Sequence, residues 1–145
     1  MAEKSYADRD VLDKLGVREG MRVRLEGAIP DDLRKRLSEA DDVELAEGSD
    51  GEPVNLVLAR LDEESATRPA LAALRKAILP DGAVWILTSK KGQAGYVKQE
   101  ALIPLGKSAG LVDNKVCSID ETSSAIRFVV PLAQREKKGP GPEGR

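Results

Sequence analysis

Histidine is absent from this 145-residue sequence, and its absence narrows the chemistry that the chain could perform. Without histidine there can be no Ser-His-Asp triad, no Cys-His pair and no histidine-based metal site. Acid–base chemistry would have to use carboxylates, lysines, Tyr6, Tyr96 or the single cysteine, Cys117. We therefore assign no catalytic residue, no metal ligand and no cofactor from the sequence.

The best candidates for holding a ligand lie at the ends of predicted strands, and above all after the apolar segment Ala83–Leu87. Open α/β sheets bind ligands where such strands end. The candidate ligand-binding residues are Gly27, Thr88, Ser89, Lys90 and Lys91. The two ammonium groups, with the amides of the loop that runs to Gly95, could hold a small anion near Gly27. The alternative for this loop is a solvated surface turn.

A second set of candidates lies in a predicted hairpin near the C-terminus. Its members carry charged or reactive side chains and are Lys115, Cys117, Asp120, Glu121 and Arg127. A nearby lysine that lowered the pKa of Cys117 would make it a nucleophile, although a lone cysteine on an interior strand is usually a small hydrophobic residue. Asp120 and Glu121 could position a ligand with Arg127, or they could cap the turn.

The tripeptide Gly106-Lys107-Ser108 is similar to the end of a phosphate-binding loop. The other glycine of that motif would fall at position 101, which is alanine, and no strand precedes the segment. We predict surface helix residues there.

Alternating helices and strands must position these side chains. The hydrophobic pattern predicts strands at 21–25, 42–47, 54–59, 83–87, 112–119 and 125–132, and helices at 5–15, 31–40, 68–79 and 98–109. Thr67 is the expected N-cap of the third helix and Gly110 the expected end of the fourth. Pro104 predicts a kink or a late start in that fourth helix. Trp85, in an apolar strand, is predicted to be buried in the core.

This order of elements predicts an α/β fold: a three-layer Rossmann-like sandwich with a mostly parallel sheet and a C-terminal antiparallel hairpin strand. A strand that is apolar on both faces, such as 83–87, belongs inside a sheet that helices cover. We predict a single domain over residues 1–133 and a disordered tail over 134–145, which is rich in lysine, glycine and proline.

Charge and hydropathy exclude several classes of protein. The chain has 23 basic and 25 acidic residues, so nothing in its balance indicates nucleic acid or an anionic membrane as partner. No apolar run approaches the roughly 20 residues of a membrane-spanning helix, and the first residues do not form a signal peptide. We predict a cytoplasmic protein of bacterial type that binds neither nucleic acid nor membrane.

Several segments resemble class I methyltransferases, which have a Rossmann-like fold with a terminal antiparallel strand. Residues 12–23 resemble the lead-in to that fold's first strand, and residues 79–86 resemble the turn into a central strand. A closer resemblance is to the uncharacterised bacterial family called domain of unknown function 3052. It rests on residues 5–6, 14–17 and 110–129 and spans most of the chain. That resemblance implies a fold without implying a reaction.

The chain departs from cofactor-binding methyltransferases in the turn after the first strand. That turn is rich in glycine in the resembling family, because the backbone must approach the adenosyl cofactor closely. Here Gly27 is the turn's only glycine, and Ile29 and Pro30 would crowd the ligand. Glu47 follows Gly27 at about the spacing of a ribose-binding carboxylate, but the surrounding segment is rich in acidic residues.

Two functional interpretations are open. The first is a non-catalytic regulatory module that binds a protein partner or a small anionic ligand, and it fits the missing histidine and the missing glycine motif. The alternative is a reduced S-adenosylmethionine-dependent methyltransferase-like enzyme, with its pocket between residues 26–31 and 88–95. Whether the protein is an enzyme is left undecided by the residues alone.

Overall fold

Six strands form one mixed sheet in the described part of the chain, which comprises Leu12 and residues 15–40, 42–47 and 52–131 of the computed structural model. The strands are β1 (Arg22–Glu26), β2 (Glu44–Glu47), β3 (Val54–Arg60), β4 (Ile78–Ser89), β5 (Val112–Ser118) and β6 (Ser123–Val129). The described helices that connect them are α1 (Asp31–Glu39), α2 (Arg68–Lys76) and α3 (Gln99–Ser108). The predicted α/β fold is confirmed.

The strand order is β2-β1-β3-β4-β6-β5. Strands β1 to β4 pair in parallel, whereas β6 is antiparallel to both β4 and β5. The predicted mostly parallel sheet and the predicted antiparallel hairpin are therefore confirmed. Because β2 lies on one side of β1 and β3 on the other, the sheet has a topological switch point between β1 and β3, where open α/β sheets leave a crevice.

The central strand β4 is buried on both faces, as its sequence predicted. Val84 and Ile86 belong to the apolar cluster beneath α2 and α3, which defines the α2–α3 face of the sheet. Trp85 and Leu87 belong to the cluster beneath α1, which defines the α1 face. Trp85 has no exposed surface, so its predicted burial is confirmed.

The boundary between α2 and β4 differs from the prediction. The predicted helix over 68–79 ends at Lys76, and β4 begins at Ile78, which pairs with Val54 of β3. Pairing across the sheet thus outweighs the helical pattern of the last residues. The N-cap prediction is confirmed, because the Thr67 hydroxyl accepts a hydrogen bond from the Ala70 amide at 3.3 Å.

Helix α3 contains Pro104 but begins at Gln99, so of the two predicted effects of Pro104, a kink or a late start, the late start does not occur. Gly106 lies in this helix because it faces Phe128: a Cβ atom there would lie 2.7 Å from Phe128 Cδ1. Gly110 ends the helix at φ +87°, as predicted. Its amide donates to Lys107 O at 3.1 Å, and the next amide, of Leu111, donates to Gly106 O at 2.8 Å.

An unusually short crossover connects β2 to its second neighbour in the sheet, β3. Parallel crossovers typically need a dozen or more residues, and only residues 48–53 separate these two strands. The Glu52 carbonyl at the end of this crossover accepts a hydrogen bond from Arg24 Nη2 at 2.8 Å. This hydrogen bond and the ion pair with Glu26, whose Oε2 lies 3.9 Å from Arg24 Nη1, are contacts of an arginine that is only 3% exposed in the middle of β1.

Two predictions concern residues that the structure does not describe. The predicted tail at 134–145 lies outside the described residues, as does all of the predicted helix at 5–15 except Leu12 and Leu15. None of the helices in the described ranges is long and apolar enough to cross a bilayer.

Candidate functional site

The carboxyl ends of β1, β3 and β4 meet at one edge of the sheet, and β6 begins at the same edge, where Ser123 pairs with Ser89. Two cavities open there. One lies beside the end of β4 and has a volume of about 450 Å³. The other lies beside Gly27 and has a volume of about 270 Å³. We call them the β4 cleft and the Gly27 cavity.

The β4 cleft contains four of the five residues that we predict to bind a ligand. Its lining residues come from the end of β4, the loop after it, the first turn of α3 and β6, and they are Thr88, Ser89, Lys90, Lys91, Tyr96, Val97, Lys98, Gln99, Glu100 and Ser124. The structure therefore brings the predicted Thr88–Lys91 segment together with a helix terminus that the sequence analysis did not connect to it.

Thr88 is the innermost polar residue of this cleft. It continues the row of Val84 and Ile86 on the α2–α3 face, because alternate residues of a strand share a face, and it is only 3% exposed. Ser124 lies directly opposite it on β6. Within the described ranges, no residue forms a hydrogen bond with the Thr88 hydroxyl. The apolar row thus ends in a largely buried threonine at the base of the cleft.

The first turn of α3 forms the wall opposite the strand. Its N-cap residue, Lys98, makes no capping hydrogen bond with its side chain. The first hydrogen bond in the turn joins the Ala101 amide to the Lys98 carbonyl at 2.9 Å. Since the first amides of a helix have no partner within the helix, those of Gln99 and Glu100 are donors beside the cleft, at the positive end of the helix dipole.

The lysines of the cleft differ in their contacts. Lys90 ties the loop to the hairpin, because its ammonium donates to Ser118 Oγ at 2.7 Å and its amide donates to Thr122 O at 2.8 Å. Lys91 and Lys98 are exposed. Among the lining residues of the cleft, Glu100 is the one with a negatively charged side chain. The cleft therefore has an excess of positive charge.

Gly27 lies in the other cavity, away from Thr88–Lys91. Its φ of +79° is one that glycine adopts without strain, and a Cβ atom there would lie 3.0 Å from Arg60 O. The absence of a Cβ atom thus allows the turn after β1 to pack against the end of β3. The structure does not bring Gly27 and the four other candidates to a common cavity.

Arg60 is the main feature of this edge that the sequence analysis missed. Its Nε donates to Ala28 O at 2.7 Å, in the turn after β1. Its Nη2 donates to Ser123 Oγ at 2.6 Å, at the start of β6. One side chain therefore bridges the switch point and reaches the hairpin. The feature of the sequence that could have identified Arg60 is its position, because it is a charged residue directly at the end of an apolar strand.

Asp62 closes a tight turn just after Arg60. Its carboxylate accepts hydrogen bonds from the Ser65 amide at 2.8 Å, from the Ser65 hydroxyl at 2.9 Å and from the Glu64 amide at 3.0 Å. These donors, those of Ser65 first, lower the pKa of Asp62 below its ordinary value of 3.8. The turn packs against the loop of the β4 cleft, because a Cβ atom on Gly95 would lie 3.3 Å from Asp62 Cβ.

The hairpin candidates are spread out along the strands. Asp120 caps the turn, since its carboxylate accepts from the amides of Thr122 at 2.9 Å and Ser123 at 2.8 Å. Arg127 lies four residues beyond Ser123, about 13 Å along a strand, and pairs with Lys115 in the sheet. Glu121 is exposed. Asp120 and Arg127 are thus too far apart to form one small site.

Cys117 is half-buried on β5, where it packs against the apolar cluster of the α1 face. The expectation of an interior strand for Cys117 is wrong, because β5 is an edge strand of the sheet. Lys115, two residues away on the same face, is exposed. Among the described residues, no group of three or more cysteine or carboxylate side chains is arranged to hold a metal ion.

The sheet order and the helices on both faces define a Rossmann-like fold, and solved methyltransferases are among the structures that share it. A TehB-like S-adenosylmethionine-dependent methyltransferase from Corynebacterium glutamicum has 14% identity and a TM-score of 0.56, over 90% of this chain and 98% of that one. A methyltransferase from Aquifex aeolicus has 14% identity and a TM-score of 0.60, over 84% and 89%. A complex that contains the Haloferax volcanii Trm112 methyltransferase activator matches with 14% identity and a TM-score of 0.58, over 90% and 94%. At such identities the likeness shows the fold alone.

The chain belongs to the family described as "Protein of unknown function (DUF3052)", whose model matches residues 12–132. This confirms the resemblance found in the sequence. No curated protein matches the chain.

Proposed function

We propose that this protein is a non-catalytic regulatory module that binds a small anionic ligand or a protein partner at the carboxyl edge of its sheet. The observation that carries the proposal is the position of Arg60 across the switch point. A methyltransferase-like enzyme of reduced size is the alternative.

The Arg60 bridge supports the absence of an adenosyl cofactor from this edge. In an open α/β sheet the crevice at the switch point is where a dinucleotide binds. Here Arg60 is hydrogen-bonded to the turn after β1 on one side and to β6 on the other. The close approach of Gly27 to the Arg60 backbone also holds β1 and β3 together at this point.

The sizes of the two cavities support the same proposal. Sites for drug-sized ligands have volumes of roughly 300–1,000 Å³. The Gly27 cavity, at about 270 Å³, lies below that range. The β4 cleft, at about 450 Å³, lies within it. A ligand of this protein would therefore bind beside β4, away from the turn that would hold an adenosyl group.

A protein partner is the second kind of occupant that the proposal allows. One of the similar structures is a complex that contains a methyltransferase activator, so domains with this fold are compatible with a bound partner protein.

Calorimetry with S-adenosylmethionine tests the proposal. The wild-type chain should show no binding at micromolar concentration. Arg60→Ala removes both hydrogen bonds of the bridge and should increase the affinity for S-adenosylmethionine. The control Arg18→Ala, at an exposed residue, should leave that affinity unchanged. Micromolar binding to the wild-type chain would contradict the proposal, and methyl transfer to any acceptor would establish the enzyme.

A further inference from the structure

We infer that the β4 cleft binds a phosphomonoester: a phosphate group carried on an organic group about the size of one ring. The inference rests on the ligand-binding part of the proposed function and names the chemical class of that ligand.

The phosphate group of the proposed ligand is indicated first by the hydrogen-bond donors that converge on the cleft. The uncapped first turn of α3 presents the amides of Gln99 and Glu100, and helix N-termini favour anions through such amides and the helix dipole. The Ser124 hydroxyl lies on the opposite wall. A tetrahedral group with three terminal oxygens can accept from donors on several sides at once, as these walls require.

Thr88 is a second and independent indication of a ligand. A hydroxyl that lines a cleft without a protein partner can donate and accept a hydrogen bond with a bound ligand. Thr88 is only 3% exposed, lines the cleft, and has no side-chain hydrogen bond within the described part of the chain. An oxygen of a ligand bound at the base of the cleft would supply the missing partner.

The charge of the lining residues matches a dianion. Lys90, Lys91 and Lys98 contribute three positive charges and Glu100 one negative charge, which leaves two positive charges. A phosphomonoester has a charge between about −1.5 and −2 at neutral pH. A single carboxylate would neutralise only half of the excess.

The organic end is indicated by the remaining wall and by the volume. Val97 belongs to the apolar cluster of the α2–α3 face, and the half-buried Tyr96 lies beside it. Aromatic rings pack favourably against such side chains. The cleft's volume of about 450 Å³ leaves room for a ring-sized group beyond the phosphate.

Amide-resolved NMR titration with inorganic phosphate, phenyl phosphate and phenol tests the inference. Phenyl phosphate should shift the amide signals of Thr88, Gln99 and Glu100 saturably. It should bind more tightly than inorganic phosphate, because it adds the ring contact, and phenol alone should produce no saturable shift at these residues.

Four variants define the site. Thr88→Val keeps the shape of the side chain but removes its hydroxyl, and should weaken phenyl phosphate binding about tenfold, the typical effect of losing a hydrogen bond to a charged group. Lys98→Gln should weaken it about two- to fivefold, as expected for an exposed charge. The matched control, Lys107→Gln at the other end of α3, should have no effect. Glu100→Gln should tighten binding, because it removes the repelling carboxylate.

The inference is overturned if millimolar phenyl phosphate shifts no amide between residues 88 and 100. It is overturned equally if Lys107→Gln weakens phenyl phosphate binding as much as Lys98→Gln does. The protein would then attract the anion through its positive charges in general and not through this cleft. If Thr88→Val does not fold, Ser124→Ala serves as the hydroxyl test and should also weaken binding. The S-adenosylmethionine calorimetry is independent of these results, so failure here leaves the non-catalytic proposal to be judged separately.

Discussion

The indole N–H of Trp85 donates a hydrogen bond to the backbone carbonyl of Leu15 at 2.8 Å, across 70 positions of sequence. Neither residue has exposed surface. The contact fastens the segment before β1 to the centre of the sheet on the α1 face. It also explains how an indole can occupy a fully apolar position, because its one polar group has a partner.

Replacing Trp85 tests this contact. Trp85→Phe keeps an aromatic ring but leaves the buried Leu15 carbonyl without its donor, which should destabilise the fold by about 1–3 kcal/mol. Trp85→Ala should cost about 3–5 kcal/mol because it also opens a cavity. Urea unfolding measures both. Val116→Ala, at a side chain that is 51% exposed, is the control and should change little; a Trp85→Phe protein as stable as the wild type would contradict the prediction.

Gly106→Ala should destabilise the protein even though alanine favours helices. The helical preference amounts to about 1 kcal/mol, but the new methyl group would lie against the buried ring of Phe128. Overpacking of this kind typically costs about 1–3 kcal/mol. Thermal unfolding measures the net effect. The double variant Gly106→Ala with Phe128→Leu should show coupling, with a smaller loss than the sum of the single changes; strict additivity would exclude the steric explanation.

Gly27→Ala should be more harmful than Gly20→Ala. Both glycines have positive φ, +79° and +86°, so both substitutions introduce backbone strain of about 1–2 kcal/mol. Only at Gly27 would the added Cβ meet the Arg60 carbonyl, at 3.0 Å, while nothing lies within 4 Å at Gly20. The difference between the two free energies of unfolding therefore measures the packing of the β1 turn against β3. Equal losses of stability in the two variants would mean that the close approach of Gly27 to Arg60 does not contribute to the stability of the fold.

Asp62 should titrate below 3.8, because donors from Ser65 and Glu64 stabilise its carboxylate in the folded state. Its folded pKa is thus lower than its unfolded pKa. The stabilisation is complete above about pH 3.8 and is lost as the pH falls through the folded pKa. NMR titration of the Asp62 carboxyl carbon measures this directly.

The matched variants for Asp62 are Ser65→Ala and Ser38→Ala. Ser65→Ala removes the hydroxyl donor and should raise the pKa of Asp62 towards 3.8. Ser38→Ala removes a hydroxyl in α1 that bonds to Lys35 O, and should leave Asp62 unchanged. A wild-type pKa at or above 3.8 would show that the turn does not hold the carboxylate.

Most of the fold could be predicted because it depends on local patterns. The apolar run 83–87 predicted a strand buried on both faces, and its burial at Trp85 is complete. Thr67 and Gly110 predicted helix ends through the chemistry of their own backbone and side chains. Such signals involve residues a few positions apart, so they can be read without knowing where distant segments lie.

Pairing between distant segments changed the details. Ile78 looked like the end of a helix, but Val54 pairs with it across the sheet. Gly106 was predicted to be a surface helix residue, but it is buried and makes room for Phe128 on another element. In both cases the deciding neighbour is more than 20 residues away, and no pattern within the local segment announces it.

The sequence by itself determined the class of fold and the exclusion of histidine chemistry, because these follow from residue types and short-range periodicity. The strand edge at which a ligand would lie is a prediction from the same patterns. Only the tertiary structure decided that Thr88 faces the uncapped start of α3 and that Arg60 bridges Ala28 and Ser123. The physical reason is that hydrogen bonds and cavities depend on three-dimensional distances of a few ångströms. Such distances arise only when the strands adopt their order and register, and residues 60 and 123 become neighbours through that register.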